Sequence, residues 1–141
     1  RADNRVVTPC HCCLFHDPQI VTAKCPSRLI DDLFVDAERD PERSFTCDEN
    51  WLEDLNRTVS DTGVLVQNHL SREAAIQTAD QLKPEFKSAL LLNVPQYENV
   101  VLALFRTEIN RRGVVKSFEQ MLKAKHPGAI GKLRYQVRQY Y

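Results

Sequence analysis

The chain has 141 residues, of which 43% are hydrophobic and 27% charged, and its formal net charge is zero. This length fits one domain, and the apolar content is enough for a sizeable core beneath a charged surface. No apolar run approaches the roughly 20 residues that span a bilayer, so no membrane partner is expected. Only four glycines are present, which disfavours a turn-rich all-β fold and favours helices.

The charge is distributed unevenly along the chain. Residues 1–60 carry seven Lys/Arg against twelve Asp/Glu, whereas residues 61–141 carry twelve against seven. Such polarity suits head-to-tail self-association, an oppositely charged protein partner or a modest contact with nucleic acid. The alternative is that these charges only cover solvated helix faces.

A cluster of cysteines and histidines opens the chain, in a stretch without helical periodicity. Cys10 and Cys13 have the two-residue gap with which one tight turn supplies two zinc ligands, and His16 and Cys25 can complete a tetrahedral set. We therefore predict a structural zinc bound by these four residues. The reserve ligands are His11, Cys12 and Cys47.

Three alternatives to zinc stay open. The thiols could be buried without metal, or Cys10 and Cys13 could be a redox pair, although the strand-to-helix context of such pairs is missing. Disulfides are the third alternative, but the five cysteines leave one unpaired. Interleaved histidines favour metal in a reducing compartment, so we expect an intracellular protein, cytoplasmic or nuclear.

Hydrophobic periodicity predicts helices for the rest of the chain. The polar, proline-broken stretch 38–47 is a predicted loop, and it divides the chain into a Cys/His-rich segment (residues 1–47) and a helical bundle (residues 48–141). The fold class predicted is all-α, a bundle of six or seven helices with short connections. The predicted helices cover about residues 28–37, 49–69, 72–82, 84–92, 95–112, 114–125 and 130–140. Ser71 is the predicted N-cap of the third, and Gly63 is a predicted bend in the second.

The sequence contains no recognisable catalytic constellation. GxSxG, P-loop and HExxH motifs do not occur, and no spacing favours Cys13 with His69 or His126 as a nucleophile and base. The acidic run around Asp31 is predicted to lie on the solvated face of a short helix. We therefore predict that the chain is not an enzyme.

One stretch of the predicted bundle has a family resemblance, carried by an apolar helix, a turn, a Phe-containing helix and a proline break. These features are Leu104, Arg112-Gly113, Phe118, Leu122, His126-Pro127 and Leu133. With the long bent helix predicted before it, the pattern from Trp51 to Leu133 resembles a caspase-recruitment domain of the death-fold superfamily. The resemblance implies a six-helix Greek-key bundle without enzymatic activity that acts by homotypic assembly through acidic and basic patches.

The leading functional prediction is a non-enzymatic protein-interaction or assembly module, stabilised by zinc, whose partner is another protein or a second copy. The alternatives are a nucleic-acid-binding domain that uses the basic C-terminal helices, or an accessory domain of a larger enzyme. Arg111 and Arg112 have a second interpretation as charges at a helix C-terminus. The predicted partner-binding residues are Arg106, Arg111, Arg112, Lys116, Lys123 and Lys125.

Overall fold

The computed structural model describes residues 28–31, 34–35, 42–43, 49–129 and 131–141. All five cysteines lie outside these residues, together with His11 and His16. The zinc site predicted at Cys10, Cys13, His16 and Cys25 therefore stays a prediction.

Five strands form one mixed sheet, and two short strands form a separate antiparallel pair. In spatial order, the sheet contains β1 (Arg28–Asp31), β4 (Val64–His69), β6 (Val100–Phe105), β5 (Ser88–Asn93) and β7 (Gln136–Gln139). The pair β1–β4 is parallel, and the other three pairs of the sheet are antiparallel. The separate pair is β2 (Phe34–Val35) with β3 (Glu42–Arg43).

Three helices connect these strands in the part of the chain that the structure describes. They are α1 (Glu49–Thr58), α2 (Arg72–Leu82) and α3 (Arg111–Lys125), and a 3-10 turn follows at Pro127–Ala129. None of them is long and apolar enough to cross a membrane. The prediction that Ser71 caps α2 is confirmed, because its hydroxyl accepts a 3.2 Å hydrogen bond from the Ala74 amide.

The core lies on one face of the sheet, beneath α1 and α2. Side chains alternate across a strand, and Leu65 of β4 is fully buried between its register partners Leu29 of β1 and Leu104 of β6. Each such leucine contributes about 1.5–3 kcal/mol through burial. The helices add Leu52, Leu55, Ala75, Ala79 and Leu82 to the same cluster.

The prediction of an all-α bundle of six or seven helices is wrong, because the described residues form a mixed sheet with three helices. The stretches 88–93 and 100–105 are nearly continuous apolar runs. In β5 the neighbours Leu90 and Leu91 are both buried. In β6 buried residues alternate with half-buried ones, but all six are apolar, so neither stretch shows a two-residue alternation of hydropathy. A short apolar run of this kind cannot be told from a buried helix by periodicity.

The predicted helix 49–69 is correct only in its first half. It ends at Thr58, and Gly63 then leads into β4 rather than bending a helix. A Cβ atom at Gly63 would lie 2.6 Å from Val59 Cγ1 and 3.0 Å from the Ser60 carbonyl oxygen. The glycine is therefore required by a close approach of the chain between helix and strand.

The six-helix bundle that the caspase-recruitment resemblance implied is wrong as well. Leu104 lies in a strand, and Arg112-Gly113 lies in the first turn of α3 rather than at the end of a helix. The helix predicted over 114–125 exists, and it ends before His126-Pro127 as expected. The helices predicted over 28–37 and 130–140 are replaced by β1, β2 and β7 where the chain is described.

The main sheet includes strands from both sides of the predicted division between residues 47 and 48. β1 comes from the predicted N-terminal segment, yet it pairs with β4, and Leu29 belongs to the main core. The sheet therefore draws on both parts of the chain.

Candidate functional site

A set of exposed cations on α3 and on the connection that follows it is the main candidate site. We call it the basic surface. Its members are Arg111, Arg112, Lys116, Lys123, Lys125, Lys132 and Arg134, all of them exposed. Glu119 is the acidic residue between Arg111 and Arg134, so cations dominate this surface.

Helix geometry places three of the predicted partner-binding cations on one stripe. Positions four and seven residues apart return to nearly the same side of an α-helix, so Arg112, Lys116 and Lys123 share one face of α3. At 1.5 Å per residue, this stripe is about 16 Å long. Such a length fits an extended acidic partner better than a single small anion.

Arg111 and Arg112 do not lie where the helix-terminus interpretation put them. α3 begins at Arg111, so both cations lie at its N-terminus, where the helix dipole disfavours positive charge by about 0.3–1 kcal/mol. The Asn110 side chain accepts hydrogen bonds from the Arg112 amide at 2.9 Å and the Gly113 amide at 3.4 Å. Stabilisation of the helix dipole therefore cannot explain these two arginines.

Arg106 is the predicted binding residue that the structure separates from the other five. Its side chain is only 14% exposed, and its guanidinium donates to the carbonyl oxygens of Asn56 at 2.7 Å and Glu85 at 3.0 Å. The guanidinium also stacks over the Phe86 ring, 4.4 Å from its centroid. These contacts give Arg106 a role inside the fold.

The apolar side of α3 is only partly covered. Not one residue of this helix is buried, although Phe118 and Leu122 are half-buried, and Met121 is 42% exposed. An amphipathic helix normally buries its apolar stripe against the core. α3 therefore presents apolar surface beside its cations.

An open groove of about 410 Å³ lies between α3 and the segment that leads into β7. We call it the α3–β7 groove. Its apolar lining comes from Val115, Leu133 and Val137, and its cations are Arg111 and Arg134. The groove thus combines the two chemical properties of the basic surface in one place.

Three contacts hold the walls of this groove. Arg111 Nη1 donates a 3.0 Å hydrogen bond to the Val137 carbonyl oxygen. Tyr135 packs edge-on against Phe118, with ring centroids 5.3 Å apart, and its hydroxyl donates to Glu119 at 3.2 Å. Burial raises the pKa of Tyr135, and the hydrogen bond to Glu119 raises it further.

The sequence prediction missed the second half of this surface. Lys132 and Arg134 were not assigned to a contact, although they belong to the excess of cations over acids after Arg106. Only the placement of β7 beside α3 shows that Arg134 lines a groove together with Arg111 of the helix. Arg138 lies on the other face of the sheet, because its register partner Leu91 belongs to the core beneath α1 and α2.

A second cluster of polar side chains lies inside the molecule, at the carboxyl ends of β1 and β4. The Asp31 carboxylate accepts hydrogen bonds from Gln67 Nε2 at 2.9 Å and Trp51 Nε1 at 3.2 Å, and His69 follows two residues along β4. The prediction that Asp31 is solvated is wrong, because it is only 1% exposed. Gln67 and His69 are buried too, so the hydrogen bonds of the cluster join β1, β4 and α1 inside the fold.

Metal ligands and relatives give no further indication of a site. Within the described residues, no group of three or more His, Cys, Asp or Glu side chains could hold a metal ion. No family model, curated protein or solved structure matches the chain. The chemistry of the basic surface is therefore what indicates a function.

Proposed function

We propose that this chain is a non-enzymatic interaction module that binds an acidic partner protein through the basic surface. The observation that carries the proposal is α3, a helix with a stripe of cations and a partly uncovered apolar side. Protein interfaces combine an apolar centre with a charged rim, and opposite charge on the partner speeds association and selects it.

Nucleic acid is the competing partner. Its phosphates would accept the same cations, but nucleic-acid interfaces are more polar than protein interfaces. Met121 and Leu133 stand exposed among the cations, at 42% and 38%, and neither can stack on a base. Aliphatic surface in the middle of the cations favours a protein partner.

Affinity purification with quantitative mass spectrometry tests this proposal. The bait carries Arg112→Glu with Lys116→Glu, which reverses two charges of the stripe. The matched control, Arg72→Glu with Lys87→Glu, reverses two exposed cations outside the basic surface. We expect some proteins to bind the unchanged chain and the control but not the Arg112→Glu/Lys116→Glu chain, which we call the stripe variant.

Two further treatments separate the alternatives. Nuclease digestion should leave the retained proteins bound, because the proposed contact is directly between proteins. Loss of these proteins after digestion would indicate a contact through nucleic acid. Sedimentation of the purified chain measures its oligomeric state. If the chain self-associates, the acidic partner is a second copy. Equal recovery with both double variants would overturn the proposal.

Zinc and location remain part of the proposal. Zinc bound by Cys10, Cys13, His16 and Cys25 would stabilise the N-terminal segment in a reducing, intracellular compartment. Elemental analysis of protein purified without added metal should then show about one zinc per chain. A metal-free protein whose melting temperature is insensitive to chelator would contradict it.

A further inference from the structure

The α3–β7 groove has the features of a peptide site. Val115, Leu133 and Val137 provide aliphatic surface, and Leu133 is 38% exposed. Arg111 and Arg134 add a guanidinium each to the same lining. Apolar surface flanked by cations suits a chain segment in which an aliphatic side chain stands beside carboxylates.

The groove exists before any partner binds. The hydrogen bond from Arg111 to the Val137 carbonyl oxygen ties the start of α3 to β7. The packing of Tyr135 on Phe118 holds the segment before β7 against the middle of the same helix. A site whose walls are already fixed loses less conformational entropy on binding.

The guanidinium groups keep capacity for a partner. Arginine has five N–H donors, and the hydrogen bond of Arg111 to Val137 uses one of them. The exposed Arg134 is placed in the same lining. Glu119, the acid of the groove, accepts from the Tyr135 hydroxyl, and two arginines outweigh its charge.

We propose that the α3–β7 groove binds an acidic, leucine-containing peptide segment of the partner protein. An aliphatic side chain of that segment contacts Val115, Leu133 and Val137, while its carboxylates pair with Arg111 and Arg134. The inference rests on the proposed function and names the chemistry that the basic surface selects. Nucleic acid fits the groove less well, because the Tyr135 ring is already packed against Phe118.

Fluorescence anisotropy with three labelled probes tests the groove. The probes are a peptide of alternating glutamate and leucine, a peptide of alternating glutamate and serine with the same charge, and polyuridylate. The glutamate–leucine peptide should bind at least about tenfold more tightly than the glutamate–serine peptide, because only leucine buries apolar surface. Equal affinity of the two peptides, or tighter binding of polyuridylate, would overturn the proposal.

Variants locate the binding. Arg134→Glu should weaken the glutamate–leucine peptide about tenfold, since it replaces attraction by repulsion inside the groove. Leu133→Ser should weaken it while leaving the glutamate–serine peptide unchanged. The matched control is Lys87→Glu, a charge reversal at an exposed cation outside both the groove lining and the basic surface, which should change the affinity by less than about twofold. Thermal melts verify that each variant folds.

The outcomes separate this inference from the proposed function. If Arg134→Glu and Lys87→Glu weaken peptide binding equally, the cations act only through the overall charge, and the groove proposal is overturned. Affinity purification with the stripe variant would still decide the proposed function. If the glutamate–leucine peptide does not bind, the groove proposal is overturned, while the proposed function keeps its separate test.

Discussion

The Asp31 carboxylate accepts a 2.9 Å hydrogen bond from the Gln67 side-chain amide, across the parallel strand pair β1–β4. Asp31 and Gln67 are register partners, with exposures of 1% and 0%. The same carboxylate accepts from the Trp51 indole of α1 at 3.2 Å. One buried acid thus joins an edge strand, its neighbour and the helix that connects them.

Replacing that acid should destabilise the fold. Asp31→Ala removes the acceptor of two donors, from Gln67 and Trp51, and should lower the free energy of unfolding by about 2–4 kcal/mol. Asp31→Asn keeps one acceptor oxygen and should cost less. Urea denaturation followed by circular dichroism measures both. Glu53→Ala, which removes an exposed ion pair with Arg57, is the control, with an effect of about 0.5 kcal/mol or less.

Two glycines should respond differently to the same change. Gly63→Ala introduces a Cβ atom 2.6 Å from Val59 Cγ1 and should destabilise the protein by about 1–3 kcal/mol. At Gly128 an added Cβ meets no atom within 4 Å, so Gly128→Ala should be neutral or stabilising by up to about 1 kcal/mol. Thermal unfolding of the pair makes the comparison, and equal melting temperatures would contradict the close approach at Gly63.

Arg106 should behave as a structural residue. Arg106→Ala removes charged hydrogen bonds to Asn56 and Glu85 and the stacking on Phe86, and should cost about 2–3 kcal/mol of stability. Arg106→Lys should recover little, because an ammonium group lacks the planar fork that reaches both carbonyls. Arg112→Ala is the matched control, and it should change the free energy of unfolding, measured by chemical denaturation, by less than about 0.5 kcal/mol. An Arg106→Ala protein as stable as the control would contradict this structural role.

Stability at high pH should depend on Tyr141. Its hydroxyl donates to the Ala79 carbonyl oxygen at 3.2 Å, and burial, with the nearby Asp80 charge, raises the pKa of Tyr141 to about 12. An unfolded tyrosine ionises near a pKa of about 10. Between these values the unfolded state has lost a proton that the folded state keeps, so stability falls as pH rises from about 10 to about 12.

Tyr141→Phe should therefore flatten this part of the stability profile. The measurement is the urea midpoint at several pH values, compared with Tyr97→Phe, whose ring is 67% exposed in the parent chain. The slope should decrease for Tyr141→Phe and stay unchanged for the control. Parallel profiles of the two variants would rule out the role of Tyr141.

The sequence by itself determined what acts within a helical turn or along the chain. Ser71 caps α2 as expected because a cap bonds amides only a few residues away. α3 ends before His126-Pro127 because proline cannot continue a helix. The excess of cations over acids near the C-terminus also follows from the sequence alone, because charged residues can be counted there.

Only the tertiary structure decided which apolar runs are strands and which cations work together. Strand pairing joins residues far apart in the chain, such as Leu65 and Leu104, so the local periodicity of hydrophobic residues does not predict it. The same pairing buries Asp31 beside Gln67, and it places Arg134 opposite α3. Arg106 carries the same charge as Arg112, yet burial beside Phe86 gives it a different task.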